Sequence, residues 1–184
     1  MSIADSGPHP IVALSDSPAA PAPGTGEGSF LRFRDRTRAR SGTAELLTFR
    51  IGTERFAFDI RAVDEILDDV TLQPVPEAPA ALIGVTTFRG RPLPVFEPSG
   101  FLGITRRLGS TVLVMRSGER RIGLLIDDVD DVESFDLSAL ANSPFDCGDE
   151  LLLGIVWREG ALTSVLDARA LIGACHVAAA GRIA

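Results

Sequence analysis

The densest group of acidic side chains lies in IDDVDDVESFD, residues 126–136, where carboxylates could bind a metal ion or act as general acids. Calcium loops place their oxygen ligands at fixed offsets around a glycine. Here Val129 and Val132 interrupt the acids at apolar spacing instead. We therefore predict a strand with its valines inward and its acids in water, a surface that would also suit electrostatic docking. A hydrolase that uses residues 127–133 is an alternative, and it requires carboxylates that converge on one pocket.

The histidines and cysteines do not form a catalytic or metal-binding set. His9 lies in a Pro/Ala-rich stretch and His176 lies near the C-terminus, and no Ser or Cys occupies a nucleophile-elbow motif. Cys147 and Cys175 match neither a metal-ligand spacing nor a CxxC motif. We predict no metal and no cofactor, and no residue stands out as catalytic, so an enzyme is unsupported by these residues.

Charge and hydropathy limit the classes of partner. The 184 residues carry a net charge of −7, and the acidic excess lies in residues 45–184. An acidic body predicts no nucleic-acid partner, because phosphate binding needs a basic face. No run approaches the roughly 18 to 20 apolar residues of a membrane span. The first twenty residues lack the basic and apolar regions of a signal peptide. We predict a cytoplasmic protein without direct membrane insertion.

Composition divides the chain into a tail, a domain and a second tail. Residues 1–28 are rich in Pro, Ala, Gly and Ser, which predicts disorder. In residues 30–42 every second position from 32 to 40 is Arg, which favours an extended segment: a solvated linker, or a tether to an acidic protein or membrane surface. We assign residues 1–44 to this tail and linker, 45–176 to the folded domain and 177–184 to a C-terminal tail.

From residue 45 short apolar runs flank glycine-containing turns, a pattern typical of β-hairpins. Glycine supplies the positive φ that tight turns require. Four hairpins are predicted, with turns at Gly52-Thr53, Arg89-Gly90, Ser117-Gly118 and Glu159-Gly160. Four hairpins predict a mainly β domain.

Two short helices are predicted between the hairpins. Asp59 can cap IRAVDEIL, with Val63, Ile66 and Leu67 on a buried face and Glu65 pointing to solvent or a partner. The prolines of TLQPVPEAP would end this helix. Asp167 can cap ARALIG, which Gly173 would close.

A spacing of glycines and a valine occurs twice. Gly84, Gly90 and Val95 are matched 70 residues later by Gly154, Gly160 and Val165. Upstream, the hairpin glycine Gly52 precedes Glu54-Arg55. The pattern recurs 66 residues later, where Gly118 precedes Glu119-Arg120. The repeat predicts two related β units produced by duplication.

The stretch GVTTFRGRPLPVFEP, residues 84–98, does not fit a buried strand. Pro has no N–H for a strand ladder, and Arg is almost never buried unpaired. Arg89 and Arg91 flank Gly90, and Pro92 and Pro94 follow. We predict an exposed hairpin corner followed by an edge strand, with the apolar neighbours lining a core between the two β units.

These residues together resemble the CheW-like domain of bacterial chemosensory systems. The resemblance covers residues 46–173, and its most specific part is the order glycine, strand, Arg-Gly, strand with Pro-Val in residues 84–95. It implies a mainly β fold of two small five-stranded SH3-like barrels that share a hydrophobic core, with short helices.

The resemblance also implies a function and a set of partners. Such domains are non-enzymatic adaptors that bind the regulatory domain of a CheA-type histidine kinase and the cytoplasmic tip of chemoreceptors, at membrane-bound receptor arrays. An apolar groove between the barrels would supply binding energy. By position, the implied receptor- and kinase-binding residues are Val63, Glu65, Gly84, Val85, Arg89 and Gly90.

The chain departs from the family pattern at two places. The family usually has Asn-Leu before Arg-Gly, where this chain has Thr87-Phe88, and Asp-Leu after the next strand, where it has Glu97-Pro98. Pro98 should end that strand early. These departures, with the dense acids of 127–133, keep an alternative open: a diverged CheW-like module that binds another peptide or ligand outside the kinase pathway.

Overall fold

The computed structural model describes residues 34–35, 37–38, 42–105, 109–142, 151–158 and 160–181. The predictions for residues 1–28, His9 and Cys147 lie outside this part of the chain. The ten described strands are β1 (Thr43–Ile51), β2 (Glu54–Asp59), β3 (Val63–Leu67), β4 (Leu82–Phe88), β5 (Arg91–Phe96), β6 (Thr111–Ser117), β7 (Arg120–Ile126), β8 (Asp128–Asp136), β9 (Leu152–Arg158) and β10 (Ala161–Leu166). Short 3₁₀ turns span Ile60–Ala62 and Leu137–Ala139, and helices span Ser99–Leu102 and Ala168–Ala180.

The strands form two five-stranded sheets, which confirms the predicted mainly β fold. Barrel A has the order β8-β1-β2-β10-β9, and barrel B has the order β3-β6-β7-β5-β4. An isolated bridge links the two ends of each sheet, Ala141 with Ile155 in barrel A and Gln73 with Val85 in barrel B. Each sheet therefore curls back on itself almost into a closed barrel.

The inner strands are buried on both faces, so apolar residues occupy both the odd and the even positions along each strand. In β1, Leu47 and Phe49 face a core between the barrels, while Leu46 faces the interior of barrel A. Strands β6 and β7 behave likewise around barrel B. The helix Ala168–Ala180 adds four buried side chains at helical spacing to the shared core, namely Ala168, Leu171, Ile172 and Cys175.

The predicted repeat appears as matching registers in the two barrels. Gly84 pairs with Val95 on β4 and β5, and Gly154 pairs with Val165 on β9 and β10. The matching hairpins β1–β2 and β6–β7 are offset by 66 residues, as Arg50 opposite Arg55 and Arg116 opposite Arg121 show. The sequence repeat therefore corresponds to two units, β1–β5 and β6–β10.

The two units exchange strands. Barrel A combines β1 and β2 of the first unit with β8, β9 and β10 of the second, and barrel B combines β3, β4 and β5 with β6 and β7. The exchanged strands β3 and β8 each carry a bulge, at Asp64 and at Asp130. Barrel B is built from the consecutive strands β3 to β7, whereas barrel A joins β1 and β2 to the distant strands β8, β9 and β10.

Each bulge places a carboxylate between two arginines of the other unit. Asp64 accepts from Arg116 at 2.8 Å and from Arg121 at 2.7 Å. Asp130 lies 2.9 Å from the Nε of Arg50 and 3.1 Å from that of Arg55. Because one carboxylate joins two strands through two ion pairs, we call each set an Arg-Asp-Arg clamp.

Residues 60–67 correct the first helix prediction. Asp59 caps only the 3₁₀ turn Ile60–Ala62, and residues 63–67 form strand β3 instead of a helix. Ile66 is exposed, whereas Val63 and Leu67 are half-buried against apolar clusters, so the predicted buried face is wrong at Ile66. Pairing with β6 prevailed over the local helical spacing of the apolar residues.

Three other predictions change in detail. The segment 126–136 contains strand β8, and its bulge places Val129 and Val132 on the same face, opposite Phe49 and Leu47, but Val129 packs against the shared core whereas Val132 is exposed. The second helix is capped by Asp167 as predicted but continues through Gly173 to Ala180. Residues 34, 35, 37 and 38 are helical, so an extended Arg segment is wrong there.

Candidate functional site: the Arg89 corner

The turn between β4 and β5 projects Arg89 from the end of barrel B. Arg89 has φ 48° and Gly90 has φ 73°, so both central residues adopt the left-handed conformation of a type I′ hairpin turn. A side chain at the first of these positions is uncommon, whereas glycine at the second carries no penalty. The corner predicted from Arg89-Gly90 is therefore a tight hairpin tip.

Arg89 reaches across the opening between the end strands of barrel B. Its Nη2 donates to Oε2 of Glu65 on β3 at 2.7 Å. The side chains are 67% and 41% exposed respectively, so water screens the pair and its contribution to stability is small. Both groups remain accessible to a partner.

The floor of the corner is apolar. Phe88 and Leu93 are buried with Val114, and the guanidinium of Arg89 lies 4.9 Å from the centroid of the Phe88 ring. This cation–π contact holds Arg89 close to the surface. We define the Arg89 corner as Glu65, Phe88, Arg89, Gly90 and Arg91.

Two features of the predicted corner need correction. Phe88 and Leu93 line the interior of barrel B, not a core between the barrels. The space between the barrels is filled by the shared core, and the concave surfaces at this corner lie outside barrel B. Strand β5 lies inside the sheet order, but it pairs with β7 only at Val95 and Phe96. Pro92 and Pro94 thus occupy a part of β5 that is paired on one side.

The structure places the six predicted binding residues in four settings. Arg89, Gly90 and Glu65 come together at the corner. Val85 lines a depression on the outer face of β4 and β5, beside the exposed Val75. Val63 pairs with Met115 and packs against the shared core.

Gly84 lies directly against the backbone of Gln73. A Cβ at Gly84 would lie 2.8 Å from the carbonyl oxygen of Gln73, the residue that bridges to Val85. Glycine is required here because the two backbone segments approach each other closely. This approach keeps barrel B closed beneath the Arg89 corner.

The acids of β8 do not converge on a pocket. Asp130 belongs to a clamp, Glu133 lies 3.1 Å from Arg158, and Asp127 accepts from the amide of Gly52 at 2.6 Å. This arrangement removes the hydrolase hypothesis, which required convergent carboxylates. Within the described ranges, no group of three or more His, Cys, Asp and Glu side chains is arranged to hold a metal ion.

One exposed apolar surface was not predicted. Trp157 on β9 is 71% exposed and lies directly opposite Leu162 on β10, which is 42% exposed. In the repeat these positions match Thr87 and Pro92 beside the Arg89 corner. The sequence pattern could have indicated this exposure, because successive residues of a strand point to opposite faces. Trp157 follows the buried Val156 and so faces outward. We call this pair the Trp157 face.

His176 and Cys175 lie in the second helix and not in a frayed end. The Nε2 of His176 is buried without a hydrogen bond to any described residue. Desolvation, aided by the charge of Arg120, lowers the pKa of His176. Burial raises the pKa of Cys175 to about 12.

Comparisons with known proteins agree with the fold. A family model of the CheW-like domain matches residues 45–175. The chemotaxis protein CheW of Rhizobium meliloti is 36% identical over 95 residues, which cover 50% of this chain and 61% of that protein. Protein FrzA of Myxococcus xanthus is 31% identical over 121 residues, covering 63% and 76%.

The same fold occurs in a solved structure. The crystal structure of the scaffolding protein TtCheW from Thermoanaerobacter tengcongensis superposes with a TM-score of 0.62 at 22% identity, covering 68% of this chain and 89% of that one. This chain belongs to the CheW-like domain family. Its match to the Rhizobium relative spans about three fifths of that protein's length. No helix in the described part of the chain is long and apolar enough to cross a membrane.

Proposed function

We propose that the protein is a non-enzymatic adaptor that couples chemoreceptors to a CheA-type histidine kinase in a bacterial chemosensory pathway. The observation that carries this proposal is the CheW-like match over residues 45–175, which includes strands of both barrels. Relatives named as chemotaxis proteins support it. The adaptor would act in the cytoplasm at membrane-bound receptor arrays.

An adaptor that holds two partners at once needs two separate surfaces. The Arg89 corner is on barrel B and the Trp157 face is on barrel A, at matching positions of the repeat. We assign the receptor tip to the Arg89 corner, where an exposed Arg and Glu can orient a polar partner. We assign the kinase regulatory domain to the Trp157 face, because exposed Trp is typical of binding hot spots.

The departure at Thr87-Phe88 has a buried part and an exposed part. Phe88 is buried inside barrel B and packs beneath Arg89, whereas Thr87 is exposed beside the corner and changes the surface that a receptor would meet. Glu97 accepts from the amide and hydroxyl of Ser99 and so caps the short helix after β5. The alternative of a diverged ligand-binding module predicts a small-molecule or peptide hit in a thermal-shift screen together with failure to bind the kinase.

The test is binding of the full chain to a purified kinase regulatory domain and to a receptor cytoplasmic tip. We expect Arg89→Ala to weaken receptor binding by about 1–3 kcal/mol and Trp157→Ala to weaken kinase binding by about 2 kcal/mol or more. Arg158→Ala is the control for Arg89→Ala in receptor binding, since Arg158 also pairs with an acid but lies on barrel A. Val177→Ala is the control for Trp157→Ala in kinase binding, since Val177 is equally exposed but lies on the second helix. If the chain fails to bind the kinase regulatory domain or fails to bind the receptor tip, the adaptor proposal is wrong.

A further inference from the structure

Arg34 contacts the domain far from its own place in the chain. Its Nε donates to Oδ2 of Asp167 at 2.5 Å, across a sequence separation of 133 residues. The side chain of Asp167 is only 10% exposed, so its charge is largely removed from water. A buried carboxylate requires a charged or hydrogen-bonding partner. Arg34 lies outside the residues 45–175 of the family match.

Helical backbone around Arg34 fits this contact. Thr37 is buried and its hydroxyl donates to the carbonyl of Arg34 at 2.8 Å. Asp35 and Arg38 are exposed. Residues three apart share a helix face, so Arg34 and Thr37 face the domain while Asp35 and Arg38 face solvent. The alternating arginines of this segment therefore have different roles.

The repeat explains why Asp167 needs an outside partner. Its Oδ1 accepts from the amides of Arg169 and Ala170 and caps the second helix. The matching acid in the first unit is Glu97, whose second oxygen accepts from the Ser99 hydroxyl at 2.6 Å. The residue that matches Ser99 is Arg169, which has no hydroxyl. Arg34 supplies the hydrogen bond that Ser99 supplies in the other unit.

We propose that the Arg-rich segment before the domain is an intramolecular latch. Its helical turn docks on the capping carboxylate of Asp167 and holds Arg34 and Thr37 beside the start of the second helix. The docked turn presents Arg38 and Asp35 outward. Because the ion pair is mostly buried, salt screens it only weakly and the latch stays closed at moderate ionic strength.

Hydrogen–deuterium exchange of the full chain tests the latch. We expect Arg34→Gln to speed exchange in peptides that cover residues 34–38 by about tenfold at low salt, while Arg38→Gln leaves their exchange unchanged. Asp167→Asn keeps an oxygen for the helix amides but loses the charge, so we expect it to free the arm while the second helix stays protected. In the natural protein, about 0.5 M salt should leave residues 34–38 more protected than they are in Arg34→Gln, because salt screens a mostly buried ion pair only weakly.

Two results would overturn the latch. One is equal exchange of residues 34–38 in the natural protein and in Arg34→Gln at low salt. The other is an equal effect of Arg34→Gln and Arg38→Gln, which would assign the protection to the net charge of the segment. Both readouts are independent of receptor and kinase binding, so they separate the latch from the proposed function.

Discussion

At the scale of single residues, the Arg89 corner was predictable because a type I′ turn depends on local chemistry. Arg89-Gly90 between two apolar runs is sufficient to place a hairpin tip. The Trp157 face was not found because exposure of a strand residue depends on which face of the sheet is covered. The partner of Arg34 was equally hidden, since Asp167 lies 133 residues away.

Cys175 allows a prediction about pH. Burial raises the pKa of its thiol from 9.0 to about 12, so the folded state keeps the proton that the unfolded state releases. The stabilisation linked to this proton is complete below pH 9 and is lost as the pH rises toward 12. We expect a Cys147→Ser variant to leave Cys175 unreactive toward a thiol reagent at pH 8 until denaturant is added. Rapid labelling of the native variant would contradict this burial.

At the scale of elements, the four hairpins were predictable and the exchanged strands were not. Strand β3 was predicted as a helix because the bulge at Asp64 breaks the alternation that would indicate a strand. The matching bulge at Asp130 keeps Val132 on the same face as Val129, but the local pattern did not indicate that Val132 is left exposed there. The pairing partners of these strands are distant in sequence, so local patterns do not specify them.

The Arg-Asp-Arg clamps at the bulges of β3 and β8 allow a prediction about stability. Asp64 and Asp130 are mostly buried between two arginines each, so we expect Asp64→Asn and Asp130→Asn each to lower the free energy of unfolding by about 1–2 kcal/mol. The control is Asp128→Asn, whose side chain is 65% exposed and pairs with Arg50 at 3.3 Å. We expect that change to cost less than about 0.5 kcal/mol. Urea denaturation measures all three variants. Similar losses in all three would show that the clamps contribute no more than a surface ion pair.

At the scale of the whole molecule, strand exchange makes the two units interdependent. The shared core joins β1 and β2 of the first unit to β6 and β7 of the second. Each barrel closes only when both units are present. A partner bound at the Arg89 corner and another at the Trp157 face would thus contact two barrels of one cooperative unit. Such a body suits an adaptor, because it fixes the geometry between two partners.

Interdependence can be tested by cutting the chain between the units. Fragments 1–105 and 109–184 each contain strands whose partners lie in the other fragment. Since a lone hairpin is marginally stable at best, we expect neither fragment to give a cooperative unfolding transition alone. On mixing, we expect them to restore the strand signal by circular dichroism with 1:1 stoichiometry, and Asp64→Asn in the first fragment to weaken the association. A single fragment that unfolds cooperatively would show that one unit can pair its own strands, and the exchange would then be a feature of the intact chain only.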